Sequence, residues 1–188
     1  MSQIVVITGS PTPGSRLNGL IERVESRWNE KGLSVGHIRV AELPAKALLH
    51  ADFKDERILA ALAQVEAASA VVIASPVYKA SYTGILKAFL DLLPQTGLKG
   101  KITLPLFIGG TIAHLLSLDY ALKPVLSVLG SRNILGGVFA IDQWVQRLEG
   151  GGFELSDELR ERLDRAADEL ADEVAWLAKR TNASGVNA

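Results

Sequence analysis

The sequence contains no cysteine, so disulfide frameworks, cysteine-based zinc sites and cysteine nucleophiles are excluded. Neither sign of charge is in excess, because 20 basic residues stand against 21 acidic ones, for a formal net charge of −1. Such a balance gives no electrostatic reason to expect nucleic acid or an anionic membrane as a partner. No run of about 18 apolar residues occurs, so no membrane-spanning helix is predicted.

The composition is typical of one globular domain. Of the 188 residues, 48% are apolar and 22% are charged, which is enough apolar sequence for a substantial core. We predict a single domain over residues 1–180 and a disordered tail over 181–188. The chain starts without a basic segment before its first apolar run. A strand rather than a signal peptide is therefore predicted there, and a cytoplasmic location is expected.

Short β-branched runs alternate with segments of helical periodicity. Strands are predicted at 4–7, 34–40, 71–74, 102–108 and 134–141, and helices at 17–31, 56–68, 83–93, 113–129 and 156–179. Pro105 weakens the fourth strand because proline cannot donate to a ladder. The stretch 142–153, with three consecutive glycines, is predicted as a loop. This alternation predicts a parallel sheet with helices on both faces.

Ligands of such sheets bind outside the carboxyl ends of the strands, where the strand order reverses. The loops of interest therefore follow the first, third and fourth strands, at 9–18, 75–82 and 109–114. These loops are also the richest in glycine, proline and polar side chains.

The first of these loops leads directly into a predicted helix. A helix N-terminus presents free N–H groups and a partial positive charge, so it favours a phosphate group. The side chains that can add hydrogen bonds or charge are Ser10, Ser15, Arg16 and Asn18. Two interpretations stay open on this loop alone, a phosphate site or an ordinary strand–helix turn with a serine cap.

Two well-known nucleotide motifs are missing from the same loop. Gly9 and Gly14 have the spacing of a nucleoside triphosphate loop, but Ser15 and Arg16 stand where that motif needs lysine and a hydroxyl residue. The dinucleotide pattern G-x-G-x-x-G is absent as well. A nucleoside triphosphatase or a tightly held dinucleotide is therefore disfavoured, and a phosphomonoester ligand fits better.

Short motifs occur in the first two of these loops and on the helix that follows the second. They comprise Gly9, Ser10 and Arg16, then Pro76, Val77 and Tyr78, then Gly84, Leu86 and Lys87. Together they resemble the NAD(P)H-dependent FMN reductases of flavodoxin-like fold. Segments 76–80, 90–94, 109–116 and 119–126 are most similar to the FMN reductase component of two-component alkanesulfonate monooxygenase systems. The resemblance covers most of residues 3–180, with a departure at Thr12-Pro13.

This resemblance implies a fold, an activity and partners. The fold is a flavodoxin-like, doubly wound α/β sandwich whose five-stranded parallel sheet has the order 2-1-3-4-5. The activity is reduction of FMN, a substrate or loosely bound cofactor, by NADPH or NADH. The implied partner is a monooxygenase that uses reduced flavin, and the assembly a homodimer or homotetramer. A firmly bound FMN that reduces quinones, azo dyes or metal oxyanions is the enzymatic alternative. A flavodoxin-like electron carrier fits less well, since such carriers are strongly acidic.

The resemblance also implies roles for individual positions. The phosphate would be held by Ser10, Arg16, Leu17 and Asn18, with Ser15 beside them. The flavin ring would lie against Pro76, Val77, Tyr78 and Lys79 on one side and Gly109, Gly110 and Thr111 on the other. The two glycines would let the backbone approach the ring closely. The alternative for Tyr78 is a loop aromatic that caps the core.

Pro124 lies well inside the predicted helix 113–129. Because proline has no N–H for the carbonyl of Tyr120, a kink or a widened turn is predicted near Tyr120. Single π-helical turns often occur at functional sites, so we hypothesise that Tyr120 reaches the flavin region or a subunit interface. Plain interface packing is the alternative. His114 is interpreted as structural, no metal site is predicted, and Trp28 and Trp176 are taken as further apolar surface for oligomerisation.

Overall fold

Parallel strands of β-branched residues form the centre of the molecule. The computed structural model describes residues 3–184. Its main strands are β1 (Ile4–Thr8), β2 (Val35–Arg39), β3 (Ala70–Pro76), β4 (Ile102–Gly109), β5 (Asn133–Ile134) and β6 (Val138–Ile141). The order is β2-β1-β3-β4-β5, and β6 pairs with β4 beyond β5. Every pairing is parallel, so the predicted sheet and its order are confirmed.

Helices cover both faces of this sheet. They are α1 (Leu17–Glu30), α2 (Ala45–Leu49), α3 (Glu56–Ala67), α4 (Gly84–Leu90), α5 (Lys123–Val128) and α6 (Asp157–Ser184). Alternation along β1 separates two cores. Ile4 and Val6 pack with α1 and α6, whereas Val5 and Ile7 pack with α2, α3, α4 and α5. No helix of the described chain is both long and apolar enough to cross a membrane.

The interface between α1 and α6 corrects one prediction. Trp28 has no exposed surface, and its indole N–H donates to the Ala167 carbonyl at 3.0 Å. Trp28 therefore belongs to the core and offers no oligomerisation surface, whereas Trp176 is 51% exposed. Arg27 hydrogen-bonds Asp168 at 2.9 Å across the same interface. That bond, the largest cause, holds the pKa of the Asp168 carboxyl below its ordinary value.

The last helix runs further than its periodicity indicates. It ends at Ser184, four residues into the segment 181–188 that was predicted to be a disordered tail. Residues 185–188 lie outside the described part of the chain. The first turn contains the acidic residues Asp157 and Glu158, whose negative charges are stabilised by the positive end of the helix dipole.

The fifth strand is interrupted where it passes Pro105. Leu135 donates its N–H to the Thr103 carbonyl at 2.9 Å, and the ladder resumes only at Val138. The backbone N–H and C=O groups of odd-numbered β4 residues point towards the fifth strand. Pro105 has no N–H to offer there, and the interruption lies at that point. Gly137 carries the chain across with φ 78°. Pro105 thus leaves β4 intact and breaks its neighbour instead, so the single strand predicted at 134–141 is two short ones.

A small hairpin replaces part of the predicted loop 142–153. Its strands are β7 (Val145–Arg147) and β8 (Phe153–Leu155), which pair antiparallel. The loop prediction is wrong here because each strand has only three residues, which is too short for a period to be recognised in the sequence. The hairpin lies against α1, where Gly19 is buried beneath Phe153 and Val145.

Candidate functional site

The carboxyl ends of β1, β3 and β4 bring the three loops into contact. The Thr83 hydroxyl, from the loop after β3, donates to the Gly9 carbonyl at 2.5 Å. The Val77 N–H donates to the Ile108 carbonyl of β4 at 2.8 Å. The loop after β3 therefore lies between the other two and is bonded to both, as the parallel topology requires.

The loop after β1 is held in shape by its own polar side chains. The Ser10 hydroxyl, in a residue only 7% exposed, donates to the Thr12 carbonyl at 3.2 Å. The Ser15 hydroxyl accepts the N–H of Leu17 at 3.2 Å, and the Asn18 amide donates to the Pro13 carbonyl at 2.7 Å. These residues shape the mouth of α1, but the first N–H groups of the helix are already used, because Asn18 and Gly19 donate to the Ser15 and Arg16 carbonyls at 3.0 Å. A phosphate here would instead meet the N–H groups of Ser10, Gly14 and Arg16, which have no partner among the described residues. Leu17 has its side chain in the core and its N–H on Ser15, so it has no free donor to offer.

Arg16 stands at the same mouth, but part of its guanidinium is engaged elsewhere. Its Nε donates to the Val145 carbonyl of the hairpin at 2.9 Å. The two terminal amino groups have no partner among the described residues. Arg16 can therefore offer charge and two donor groups to an anion while its Nε holds the hairpin.

The loop after β3 turns tightly just beyond Pro76, at Tyr78. Tyr78 and Ser81 exchange two backbone hydrogen bonds, at 2.8 and 3.1 Å, across Lys79 and Ala80. Lys79 has φ 49° and Ala80 φ 63°, which is the conformation that favours glycine in such turns. Backbone strain of this kind costs about 1–3 kcal/mol per residue and is concentrated at functional sites. Nothing in the described chain accepts the N–H groups of Lys79 and Ala80, so both can serve a ligand.

Tyr78 is 52% exposed, which disfavours a side chain that merely caps the core. The end of β4 packs directly against Val77 of this loop. A Cβ on Gly109 would lie 3.2 Å from Phe139 Cζ and 3.4 Å from Val77 Cβ, so the backbone is already in close contact. Gly110 and Thr111 follow at the surface. The exposed turn at Tyr78 and residues 109–111 thus form an open surface with free N–H donors at one edge, here called the slot. Such a surface suits a flat heterocyclic ring such as that of FMN.

The chain after this slot forms the widened turn predicted from Pro124. Instead of one helix over 113–129, there is a 3-10 turn at Ile112–His114, a π-helical turn at Leu118–Leu122 and then α5. Tyr120 lies in the π-helical turn and is 80% exposed. It forms part of an apolar ridge, defined here as Ile112, Leu115, Leu116 and Tyr120.

A large groove lies on the other side of the β1 loop, and sequence reasoning missed it. It is a groove of about 530 Å³ between α1 and β2, to which residues 76–82 and 109–114 contribute nothing. Its charged lining is Glu22, Glu25, His37, Arg39 and Glu42. Burial and the nearby Glu25 raise the pKa of Glu22. The groove is also lined by Ser10 and Asn18 of the predicted phosphate loop. Because carboxylates outnumber cations in its lining, a phosphate is better placed on the Arg16 side of that loop. His37 and Arg39, the polar residues that alternate along β2, could have indicated this groove from the sequence.

Known proteins with similar sequences indicate which family the chain belongs to. A family model described as NADPH-dependent FMN reductase matches residues 2–146. The chain is 43% identical to an FMN reductase (NADPH) of Escherichia coli K12 over 143 residues, which are 76% of this chain and 75% of the relative. It is 44% identical to an FMN reductase (NADPH) of Pseudomonas putida over 161 residues, 85% of this chain and 82% of the relative.

A solved structure shows the same architecture. The apo form of an NADH:FMN oxidoreductase named EMOB superposes with a TM-score of 0.81 at 37% identity, over 90% of this chain and 88% of that one. The family match spans most of the chain and includes all three loops of the slot. The chain therefore belongs to the NADPH-dependent FMN reductase family.

Proposed function

We propose that this NAD(P)H:FMN oxidoreductase treats FMN as a diffusible substrate and passes reduced FMN to a separate monooxygenase that desulfonates alkanesulfonates. The observation that carries the first part is the openness of the slot. Tyr78 and Ile112, on its two sides, are 52% and 53% exposed, and the two grooves of about 530 and 460 Å³ both lie elsewhere. A ligand held in such a slot can leave quickly. The sulfonate role is supported by the motif resemblance in segments 76–80 and 109–126.

The residues of the slot divide the work of binding. When bound, FMN supplies a ring that accepts a hydride from the nicotinamide. The mouth of α1 and the terminal amino groups of Arg16 receive the phosphate dianion. The free N–H groups of Lys79 and Ala80 face the polar edge of the ring and favour negative charge there. Hydride transfer needs no acid–base side chain at this site, only alignment of the two rings.

The test is steady-state oxidation of NADPH and of NADH with added FMN, FAD or riboflavin. We expect sequential kinetics with FMN as a varied substrate, and we expect the protein to lose flavin on gel filtration. Ping-pong kinetics with retained flavin would favour a bound cofactor and another acceptor. Failure to oxidise either nicotinamide with FMN present would favour an electron carrier. Coupling to an alkanesulfonate monooxygenase, followed by sulfite release, tests the second step.

We also infer that two or more copies associate through the apolar ridge. Tyr120 and Leu116 are 80% and 57% exposed, and Ile112 directly follows the slot residue Thr111. Contiguous apolar surface of this kind on a globular chain is typical of interaction sites. A second copy seated on the ridge would lie beside the flavin slot and narrow it. This arrangement would give the π-helical turn a role in both assembly and flavin binding.

Tyr120→Ala tests this inference. Since large aromatic residues dominate interface energies, the variant is expected to dissociate roughly tenfold more readily, and KM for FMN should rise with it. Sedimentation velocity and FMN titration are the measurements. Leu49→Ala is the matched control, because Leu49 is also highly exposed (79%) but lies on α2, outside the ridge. Unchanged assembly, flavin affinity and turnover in Tyr120→Ala would contradict the role assigned to the ridge.

A further inference from the structure

The β7–β8 hairpin and the phosphate loop hold each other through two arginines. Arg16 of the loop donates from Nε to the Val145 carbonyl at 2.9 Å. In return, Arg147 of the hairpin donates from Nε and Nη2 to the Gly14 carbonyl at 3.2 and 2.6 Å. Each arginine thus binds the backbone of the segment that carries the other. Two neighbouring side chains therefore connect the loop and the hairpin, one from each segment.

The hairpin is firmly placed for this role. A Cβ on Gly19 would lie 2.8 Å from Phe153 Cβ, so β8 is seated directly on the first turns of α1. The Ser156 N–H after β8 donates to the Trp144 carbonyl before β7 at 2.9 Å, which closes the base of the hairpin. Arg147 therefore projects from a fixed support towards a loop that is itself exposed at residues 11–14.

We propose that Arg147 is a positioning residue for the phosphate of the flavin. Its guanidinium binds the Gly14 carbonyl and so keeps the loop in the shape in which Arg16 and the unbonded N–H groups of Ser10 and Gly14 can meet a phosphate. Without that grip, the loop would have to become ordered each time a phosphate binds, and the entropy lost would weaken binding. The proposal rests on the proposed function, because it needs FMN to bind at this loop. The family match ends at residue 146, so Arg147 lies just outside the matched segment.

The prediction separates FMN from riboflavin, which has the same ring and no phosphate. In Arg147→Ala we expect the Kd for FMN to rise about fivefold to tenfold, as the loss of a charge-assisted hydrogen bond implies. The Kd for riboflavin should change by less than about twofold by the same reasoning. KM for FMN should rise more than kcat falls. Fluorescence titration of both flavins measures this, and Arg147→Lys, which keeps the charge and one donor nitrogen, should restore part of the loss.

Arg165→Ala is the matched control, since it removes the same charge from α6 at a side chain that is 70% exposed. Three results would overturn the proposal: an unchanged Kd for FMN, an equal loss for both flavins, or an equal loss in Arg165→Ala. An equal loss for both flavins would indicate a general structural role, and one shared with the control would indicate net charge alone. Failure of the unmodified protein to bind FMN would instead overturn the proposed function.

Discussion

Gly9→Ala should lower the free energy of unfolding by about 2–3 kcal/mol and weaken FMN binding more than about tenfold. An alanine Cβ at this position would lie 2.6 Å from Leu86 Cβ and 3.1 Å from Thr83 Oγ1. Neither atom is the free end of a long side chain, so the backbone must move. The expected cost is that of overpacking a close-packed interior.

The movement would act on the flavin slot because Gly9 joins two of its walls. The Gly9 N–H donates to Ala74 of β3 at 2.8 Å, and its carbonyl accepts from the Thr83 hydroxyl. Thr83 is only 3% exposed and caps α4 by accepting the N–H of Leu86 at 3.3 Å. If Gly9 moves away from α4, the phosphate loop and the turn at Tyr78 lose their fixed separation. A ligand that spans both would then bind poorly.

Gly14→Ala is the control for this substitution. It lies in the same loop, but a Cβ there would meet nothing within 4 Å. We expect unchanged urea unfolding and an unchanged FMN titration for Gly14→Ala, and large changes in both for Gly9→Ala. Equal behaviour of the two variants would mean that the contact between Gly9 and Leu86 does not hold the loop.

Local pattern was sufficient to predict much of the fold. Buried parallel strands read as continuous β-branched runs, and helices show their period, so the sheet and its three loops could be predicted from residues such as Val71 and Leu20. Pro124 predicted the π-helical turn because the loss of one donor has a fixed position in a helix. Both effects act within a few residues of their cause.

Contacts between distant segments could not be predicted in this way. Arg147 and Gly14 are 133 residues apart in the sequence. The hairpin that carries Arg147 has strands too short to show the two-residue period of a β-strand. Arg16 was assigned to phosphate on its charge and on the family resemblance, and nothing in its neighbours indicates that its Nε holds Val145. Trp28 was taken as surface because the residues that cover it are also distant in the sequence. Its helix has one apolar face, and only the position of α6 shows that this face is covered.

The second large effect on stability is expected from a substitution at the break in the fifth strand. Gly137→Ala should lower the free energy of unfolding by about 2–4 kcal/mol, or the melting temperature by roughly 5–15 °C. Gly137 has φ 78°, and a Cβ there would lie 2.9 Å from the Pro105 carbonyl oxygen and 3.1 Å from Pro105 Cβ. The substitution therefore adds backbone strain to a clash with a rigid ring in the centre of β4. Differential scanning calorimetry measures the loss.

Gly136→Ala, one residue earlier, is expected to be nearly neutral, because a Cβ there would meet nothing within 4 Å. Unlike Gly9→Ala, Gly137→Ala should leave the Kd for FMN within about twofold at temperatures where the protein is folded. The reason is that β6 pairs again with β4 from Val138 onward, so Phe139 still supports Gly109 beneath the slot. Two glycine substitutions of similar stability cost would then differ in flavin binding, because binding depends on where the loops lie and not on overall stability. A comparable loss of FMN affinity in Gly137→Ala would show instead that the interrupted strand and the flavin slot move together.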